Sequence, residues 1–238
     1  MKNTVNLNSI NLVNDDSLNY IKTLPDNCID LIATDPPYFQ VKSCSWDNQW
    51  ENVTAYLSWL DEMLAEFWRV LKPNGSLYMF CGSKLAADTE LLLRERFNVL
   101  NHIIWAKPSG PWRRACKADL VSEQKLLNRE YHELSQQYQL LRRPFTVTVD
   151  VPYTDVWVYP PVQYYPGKHP CEKPSAMMEH IINSSSRDGD VVADFFMGSG
   201  ATIKAALKLN RRVIGVELET DRFEQTKEEI DKTIHLKL

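Results

Sequence analysis

The sequence predicts an α/β fold on a mainly parallel sheet, and three observations carry that expectation. Short apolar runs such as Ile29–Thr34 have the length and continuity of strands buried on both faces. Stretches with apolar residues at helical spacing separate them, most clearly residues 54–71. Residues 190–217 read as strand, Gly-Ser-Gly turn, helix and strand, a complete βαβ unit.

Taken in order, residues 11–14 and 29–34 are predicted strands on either side of a helical segment, residues 17–24. The second strand runs straight into Asp35, which places that carboxylate at a strand's carboxyl end, where open α/β sheets bind ligands. Residues 39–52 read as a loop in which Trp46 and Trp50 pack or form a lid. Along 54–71, Tyr56, Leu60, Met63, Leu64, Phe67 and Leu71 form one stripe, and Lys72-Pro73-Asn74-Gly75 stops the helix. A strand over 76–81, a helix over 86–96 and a strand over 99–105 follow. Residues 106–120 change character: Lys107, Arg113, Arg114 and Lys117 surround Trp112, with no acid before Asp119. A polar amphipathic helix is predicted over 121–143, with Leu127, Tyr131, Leu134, Tyr138 and Leu141 on one stripe and Pro144 at its end. Residues 145–174 are extended and rich in proline and aromatic residues. From Ser175 the alternation resumes, with strands at 190–196 and 212–216 around a helix at 201–209.

Composition bounds the function. A chain of 238 residues suits one large domain, or one domain with an insertion, and its 44% apolar content can fill a core. The net charge of −4 means that any nucleic-acid contact must come from local basic patches. No stretch approaches the ~18 apolar residues of a membrane span, and residues 1–11 lack a signal-peptide core. Cys28, Cys44, Cys81, Cys116 and Cys171 form no CxxC pair, which argues for reduced thiols in a cytoplasm and against a zinc site or disulfide framework.

Two motifs carry chemistry. The first, Asp194-Phe195-Phe196-Met197-Gly198-Ser199-Gly200-Ala201-Thr202, joins a strand to a helix. Its glycines let backbone approach a ligand, and the helix N-terminus offers free N–H groups. Glu217 ends the next strand at about the spacing of ~20 residues expected of an acid that accepts ribose hydroxyls. The glycines alone would suit any strand–helix turn; the loop lacks GxGxxG and a Walker lysine, which disfavours NAD and ATP.

The second motif is Asp35-Pro36-Pro37-Tyr38. An aromatic exocyclic amine is a poor nucleophile because its lone pair is delocalised. Methylating it needs acceptors that hold both amine hydrogens and turn the lone pair outward. Asp35 can accept one hydrogen and the Pro36 carbonyl the other, while consecutive prolines stiffen the turn and carry no N–H. The Tyr38 ring offers a stacking face, a contact of roughly 1–3 kcal/mol on single-stranded bases. The plainer reading is a strand-to-turn exit, which Asp and Pro also suit.

Together the motifs make the chain resemble the DNA amino-methyltransferases of the β arrangement (the N6-adenine/N4-cytosine family), in which the amine motif precedes the cofactor loop. The likeness covers residues 10–119 and 153–235. It implies an S-adenosylmethionine-dependent methyltransferase fold: a mainly parallel seven-stranded sheet with helices on both faces, in permuted motif order. It implies S-adenosylmethionine as cofactor, double-stranded DNA as partner, and transfer of a methyl group to N6 of a flipped adenine, since Asp-Pro-Pro-Tyr is typical of the adenine enzymes and Ser-Pro-Pro-Tyr of the N4-cytosine ones. Asp16 resembles the family's Gly-Asp motif near the cofactor adenine, although Asp15 replaces the glycine. His169 and Lys173, in His-Pro-x-x-Lys-Pro, are implied at the methionine end of the cofactor. Asp194, Phe195, Phe196, Gly198, Ser199, Gly200, Thr202 and Glu217 are implied around the rest of it. Trp105-Ala106-Lys107 matches the family's Trp-x-Lys strand end.

Lys107, Arg113, Arg114 and Lys117, with Arg142, Arg143 and Lys168, are the candidate phosphate contacts. The whole chain is expected to be one catalytic domain, with residues 106–168 a shortened target-recognition or helical insertion where family members carry a larger region. The 121–143 helix is a candidate homodimer interface. Rival readings are N4-cytosine or RNA-adenine methylation, a catalytically impaired DNA-binding relative, and a protein-amide methyltransferase, against which Asp35 argues.

Overall fold

The computed structural model describes residues 10–40, 48–107 and 155–235. The expectations for Trp46, Arg113, Arg114, Lys117 and the 121–143 helix lie outside the described residues. The chain divides into two compact units, residues 1–100 with 161–238, and residues 101–160.

The larger unit is built on a five-stranded sheet of β1 (Ile10–Asn14), β2 (Ile29–Thr34), β3 (Leu71–Met79), β6 (Val191–Asp194) and β7 (Arg212–Glu217). The strand order is β1-β7-β6-β2-β3 and every pairing is parallel. Its helices are α1 (Ser17–Ile21), α2 (Val53–Val70), α3 (Ala86–Arg94), α4 (Ser175–Ser185), α5 (Ala201–Lys208) and α6 (Thr220–His235). From β2 the chain passes through α2 outward to β3, and from β6 through α5 outward to β7 the other way. Right-handed crossovers stepping in opposite directions set their helices on opposite faces of the sheet. The β6–β2 boundary, where the direction reverses, is the crevice in which such sheets bind ligands.

The core follows the apolar pattern. Along α2 the stripe Tyr56, Leu60, Met63, Leu64, Phe67 is buried, and Asn52 caps the helix by accepting from the Ala55 N–H at 2.9 Å. Phe67 stacks on Phe195 at 5.4 Å between ring centroids, and both are fully buried. On α4 and α5, Met177, Met178, Ile181, Ile182, Ile203, Ala205 and Ala206 are buried.

Several boundaries differ from expectation. Helix α1 ends at Ile21 rather than residue 24, because Thr23 and Leu24 donate to carbonyls three residues back. Arg69 of α2 closes that end by donating to the carbonyls of Ile21 and Leu24 at 2.8 and 2.7 Å. Strand β3 begins at Leu71, so Lys72–Gly75 lies within it as an irregular stretch, with the register slipping opposite Ile29 and Leu31. Gly75 is needed there: a Cβ would lie 2.9 Å from the Asp30 carbonyl oxygen. In place of the expected strand over 99–105 the structure has β4 (Ile104–Ala106), the residues that pair as a strand with β5 (Val156–Val158). The described residues thus hold five strands in one parallel sheet and two in a separate parallel pair. In the 101–160 unit, Trp105 Nε1 donates to the Tyr159 carbonyl at 2.8 Å, and Lys107 sits 4.5 Å from the Trp105 ring centroid.

Candidate active site

The glycine loop opens where β6 ends. Asp194 ends the strand because the Phe196 N–H turns back to Asp194 Oδ1 at 3.1 Å instead of continuing the ladder. The Met197 N–H then donates to the Val216 carbonyl at 2.8 Å, keeping the loop against β7. Gly198 and Gly200 have φ of 50° and 71°, left-handed values that favour glycine. Gly198 is fixed from both sides: its N–H donates to Glu217 Oε2 at 2.8 Å, and its carbonyl accepts from Thr226 Oγ1 at 2.7 Å. The second oxygen of Glu217 accepts from the Glu219 N–H at 3.0 Å. Burial raises the Glu217 carboxyl pKa, against the pull of these backbone donors.

His169 belongs to this loop in space. A Cβ at Gly198 would lie 3.3 Å from His169 Cε1, so the imidazole packs directly on the glycine backbone. His169 Nδ1 accepts from the Cys171 N–H at 3.2 Å. Asp16 stands at the N-terminus of α1 and accepts from the Asn19 N–H at 3.0 Å. The next residue, Ser17, donates to the Phe195 carbonyl, which ties α1 to the loop.

Other residues of the loop motif act inward. The Phe195 ring lies in the core on Phe67. The Asp194 carboxylate is buried; Oδ1 accepts from Thr34 Oγ1 at 2.8 Å. Burial first of all, with a smaller push from the Asp35 charge, raises the Asp194 pKa to about 6, while Thr202, Thr34 and Phe196 lower it by hydrogen bonding. Thr202 is buried at the start of α5, and the Ser199 carbonyl accepts from Lys204 Nζ at 2.8 Å.

The second motif stands on the neighbouring strand. Asp35 follows β2, which pairs with β6, so the amine motif and the glycine loop leave the same edge of the sheet side by side. Both Asp35 oxygens are engaged: Tyr38 Oη donates to Oδ1 at 2.5 Å, and Lys173 Nζ donates to Oδ2. Burial, and then the Asp35 charge, pushes the Tyr38 hydroxyl pKa far up, so it stays a donor. Pro36 is buried, and the Pro37 carbonyl accepts from Tyr56 Oη at 3.2 Å.

An aromatic series joins the two motifs from α2. Phe196 meets Trp59 at 5.9 Å, Trp59 meets Trp50 at 4.7 Å, and Trp50 meets Tyr56 edge-on at 5.0 Å. Trp50 is therefore a packing residue. The structure brings together Asp35, Pro36, Tyr38, His169, Lys173, Gly198 and Glu217 along one sheet edge; Lys107 lies in the other unit. Thr34, Tyr56, Thr226 and Phe80, whose ring centroid lies 4.8 Å from Lys173 Nζ, support this site without any motif of their own in the sequence.

Comparison with known proteins shows the family and the fold. The family model described as DNA methylase matches residues 29–228. The DNA adenine methyltransferase YhdJ of Escherichia coli K12 is 27% identical over 245 residues, covering 94% of this chain and 83% of the relative. The structure of TTHA0409 from Thermus thermophilus, complexed with S-adenosyl-L-methionine, aligns with a TM-score of 0.63 at 22% identity, covering 94% of this chain and 95% of that one. The cytosine-N4-specific PvuII DNA methyltransferase aligns with a TM-score of 0.65 at 16% identity, covering 94% of this chain and 93% of that one. These two likenesses establish the fold.

Proposed function

Because the chain belongs to the DNA methylase family, we propose that it methylates N6 of adenine in double-stranded DNA, using S-adenosylmethionine. One observation carries the reading. Asp35 leaves β2 beside the glycine loop leaving β6, so an amine held by the first faces a cofactor held by the second.

The loop suits S-adenosylmethionine. Its two left-handed glycines give a tight backbone turn packed against His169 at Gly198 and Thr226 at Gly200. Glu217, already oriented by Gly198 and Glu219, keeps lone pairs for ribose hydroxyls. Asp16 and His169 flank this region. The bound cofactor supplies a methyl group on a positively charged sulfur.

The chain's own residues do the rest. Asp35 accepts one amine hydrogen and the Pro36 carbonyl the other, so the nitrogen lone pair leaves the ring plane and faces the methyl group. The Pro37 carbonyl is held by Tyr56, which fixes the turn that presents Pro36. Tyr38 gives the extruded base a stacking face, since an adenine inside the duplex cannot reach the site. Holding the reacting atoms in line contributes much of the acceleration in such transfers. Lys107 joins the phosphate-contacting residues, which set affinity and its salt dependence. Adenine rather than cytosine is supported by the aspartate at position 35 and by the relative named as an adenine methyltransferase.

The test is incubation with unmethylated duplex DNA and methyl-labelled S-adenosylmethionine, followed by nucleoside mass spectrometry. Labelled N6-methyladenine is the expected product. Labelled N4-methylcytosine would keep the chemistry and overturn the base assignment; no labelled nucleoside would overturn the function.

A further inference from the structure

We propose that Lys173 is a positioning residue for Asp35, holding the carboxylate that receives the substrate amine, rather than a ligand for the methionine end of the cofactor. The inference rests on the reading of Asp35 as the amine acceptor.

Lys173 Nζ has three partners. It donates to Asp35 Oδ2 and to the Cys171 carbonyl, the latter at 3.2 Å, and it lies 4.8 Å from the centroid of the Phe80 ring. A lysine head is a mobile point charge on a four-carbon stem, and it takes one position only where several acceptors converge on it. Here an anion, a carbonyl and an aromatic face converge. The pair is also withdrawn from water, with the Lys173 side chain 11% and the Asp35 side chain 21% exposed. Fully exposed ion pairs contribute little, whereas deleting one partner of a sheltered pair leaves a stranded charge.

The arrangement fixes the plane of the carboxylate. Tyr38 Oη holds Oδ1 from one side and Lys173 holds Oδ2 from the other. A carboxylate has about four lone-pair sites. Two are used to orient the group, and those left over remain for an amine hydrogen. With one anchor missing, the carboxylate could rotate about its Cβ–Cγ bond, and the hydrogen bond that turns the amine lone pair would be lost in much of the population.

The loop that carries Lys173 adds a link. His169, four residues earlier, packs on Gly198, while Lys173 itself reaches Asp35. The short segment between them therefore touches the cofactor loop at one end and the amine holder at the other. The Lys173 ammonium is spent on Asp35 and the Cys171 carbonyl.

The full chain carrying Lys173→Met tests the role. The expected result is turnover slowed by about 100-fold or more, with KM for DNA and Kd for S-adenosylmethionine within threefold of wild type, and recovery to within tenfold in Lys173→Arg. Turnover within threefold of wild type at saturating cofactor and DNA would overturn the proposal, whether or not cofactor affinity has dropped. A second readout needs no turnover: thermal melts of Asp35→Asn, Lys173→Met and the double variant. The double variant should melt no lower than the worse single one; additive losses would overturn the pairing. Wild-type chain that transfers no methyl group, with non-additive melts, would overturn the functional reading and uphold the pairing.

Discussion

Thr34 Oγ1 donates to Asp194 Oδ1 at 2.8 Å in the buried interior of the sheet, joining the last residue of β2 to the last residue of β6. The next residue after Thr34 is the proposed amine acceptor, and the next residues after Asp194 begin the glycine loop. This hydrogen bond adds a side-chain tie, at the ends of two strands already paired, between the two halves of the site. Thr34→Val keeps the shape and removes the donor, leaving a buried carboxylate short of one partner. The expected loss is about 1–3 kcal/mol in urea unfolding, with methyl transfer slowed more than cofactor binding is weakened. Equal unfolding curves for the two proteins would show that the bond is dispensable.

Asp194 gives stability a pH dependence of known sign. Its folded pKa of about 6 lies above the ~4 of an unfolded aspartate. The folded chain therefore holds the proton more tightly. Its contribution is full below about pH 4 and is lost as pH rises through about 6. By linkage the loss is about 3 kcal/mol at most between pH 4 and pH 7. Asp194→Asn cannot titrate and can still accept from Thr34. The stability difference between variant and wild type, followed by denaturant unfolding across that range, should move in the variant's favour as pH rises; a flat difference would contradict the assignment.

Gly198→Ala places a methyl group at φ 50° and 3.3 Å from the His169 ring. Stability should fall by about 1–2 kcal/mol, and cofactor affinity, measured by calorimetric titration, by tenfold or more. In Gly200→Ala the new Cβ would lie 2.7 Å from Thr226 Cγ2, so the larger loss of stability is expected there. An alanine at position 198 that left the affinity untouched would mean the cofactor does not approach this backbone.

Asp35→Ala should abolish detectable methyl transfer while S-adenosylmethionine binds within threefold of the wild-type affinity, because the proposed mechanism gives Asp35 the amine and the glycine loop the cofactor. Turnover surviving in this variant would remove Asp35 from the chemistry.

Much of this architecture can be read from local patterns. The stripe on α2 is buried where helical spacing puts it, and β6, the glycine turn, α5 and β7 follow one another as the βαβ signal requires. These features depend on residues a few positions apart. What the chain conceals comes from long-range meetings. Lys173 reaches Asp35 across 138 positions, and Thr34 reaches Asp194 across 160. Arg69 ends α1 from another helix, which no local stop signal at residues 21–24 reveals. The irregular start of β3 follows from the Gly75–Asp30 contact, and the extent of β4 from its pairing with β5.

The double anchoring of Gly198 bears on the thermodynamics of association. With its amide on Glu217 and its carbonyl on Thr226, the loop has little backbone freedom left to surrender. Ordering a residue costs about 1–2 kcal/mol of conformational entropy, and a loop already ordered avoids that charge on affinity. Cofactor association should then resemble a key entering a finished lock, with a small entropic penalty and an affinity set by the contacts themselves.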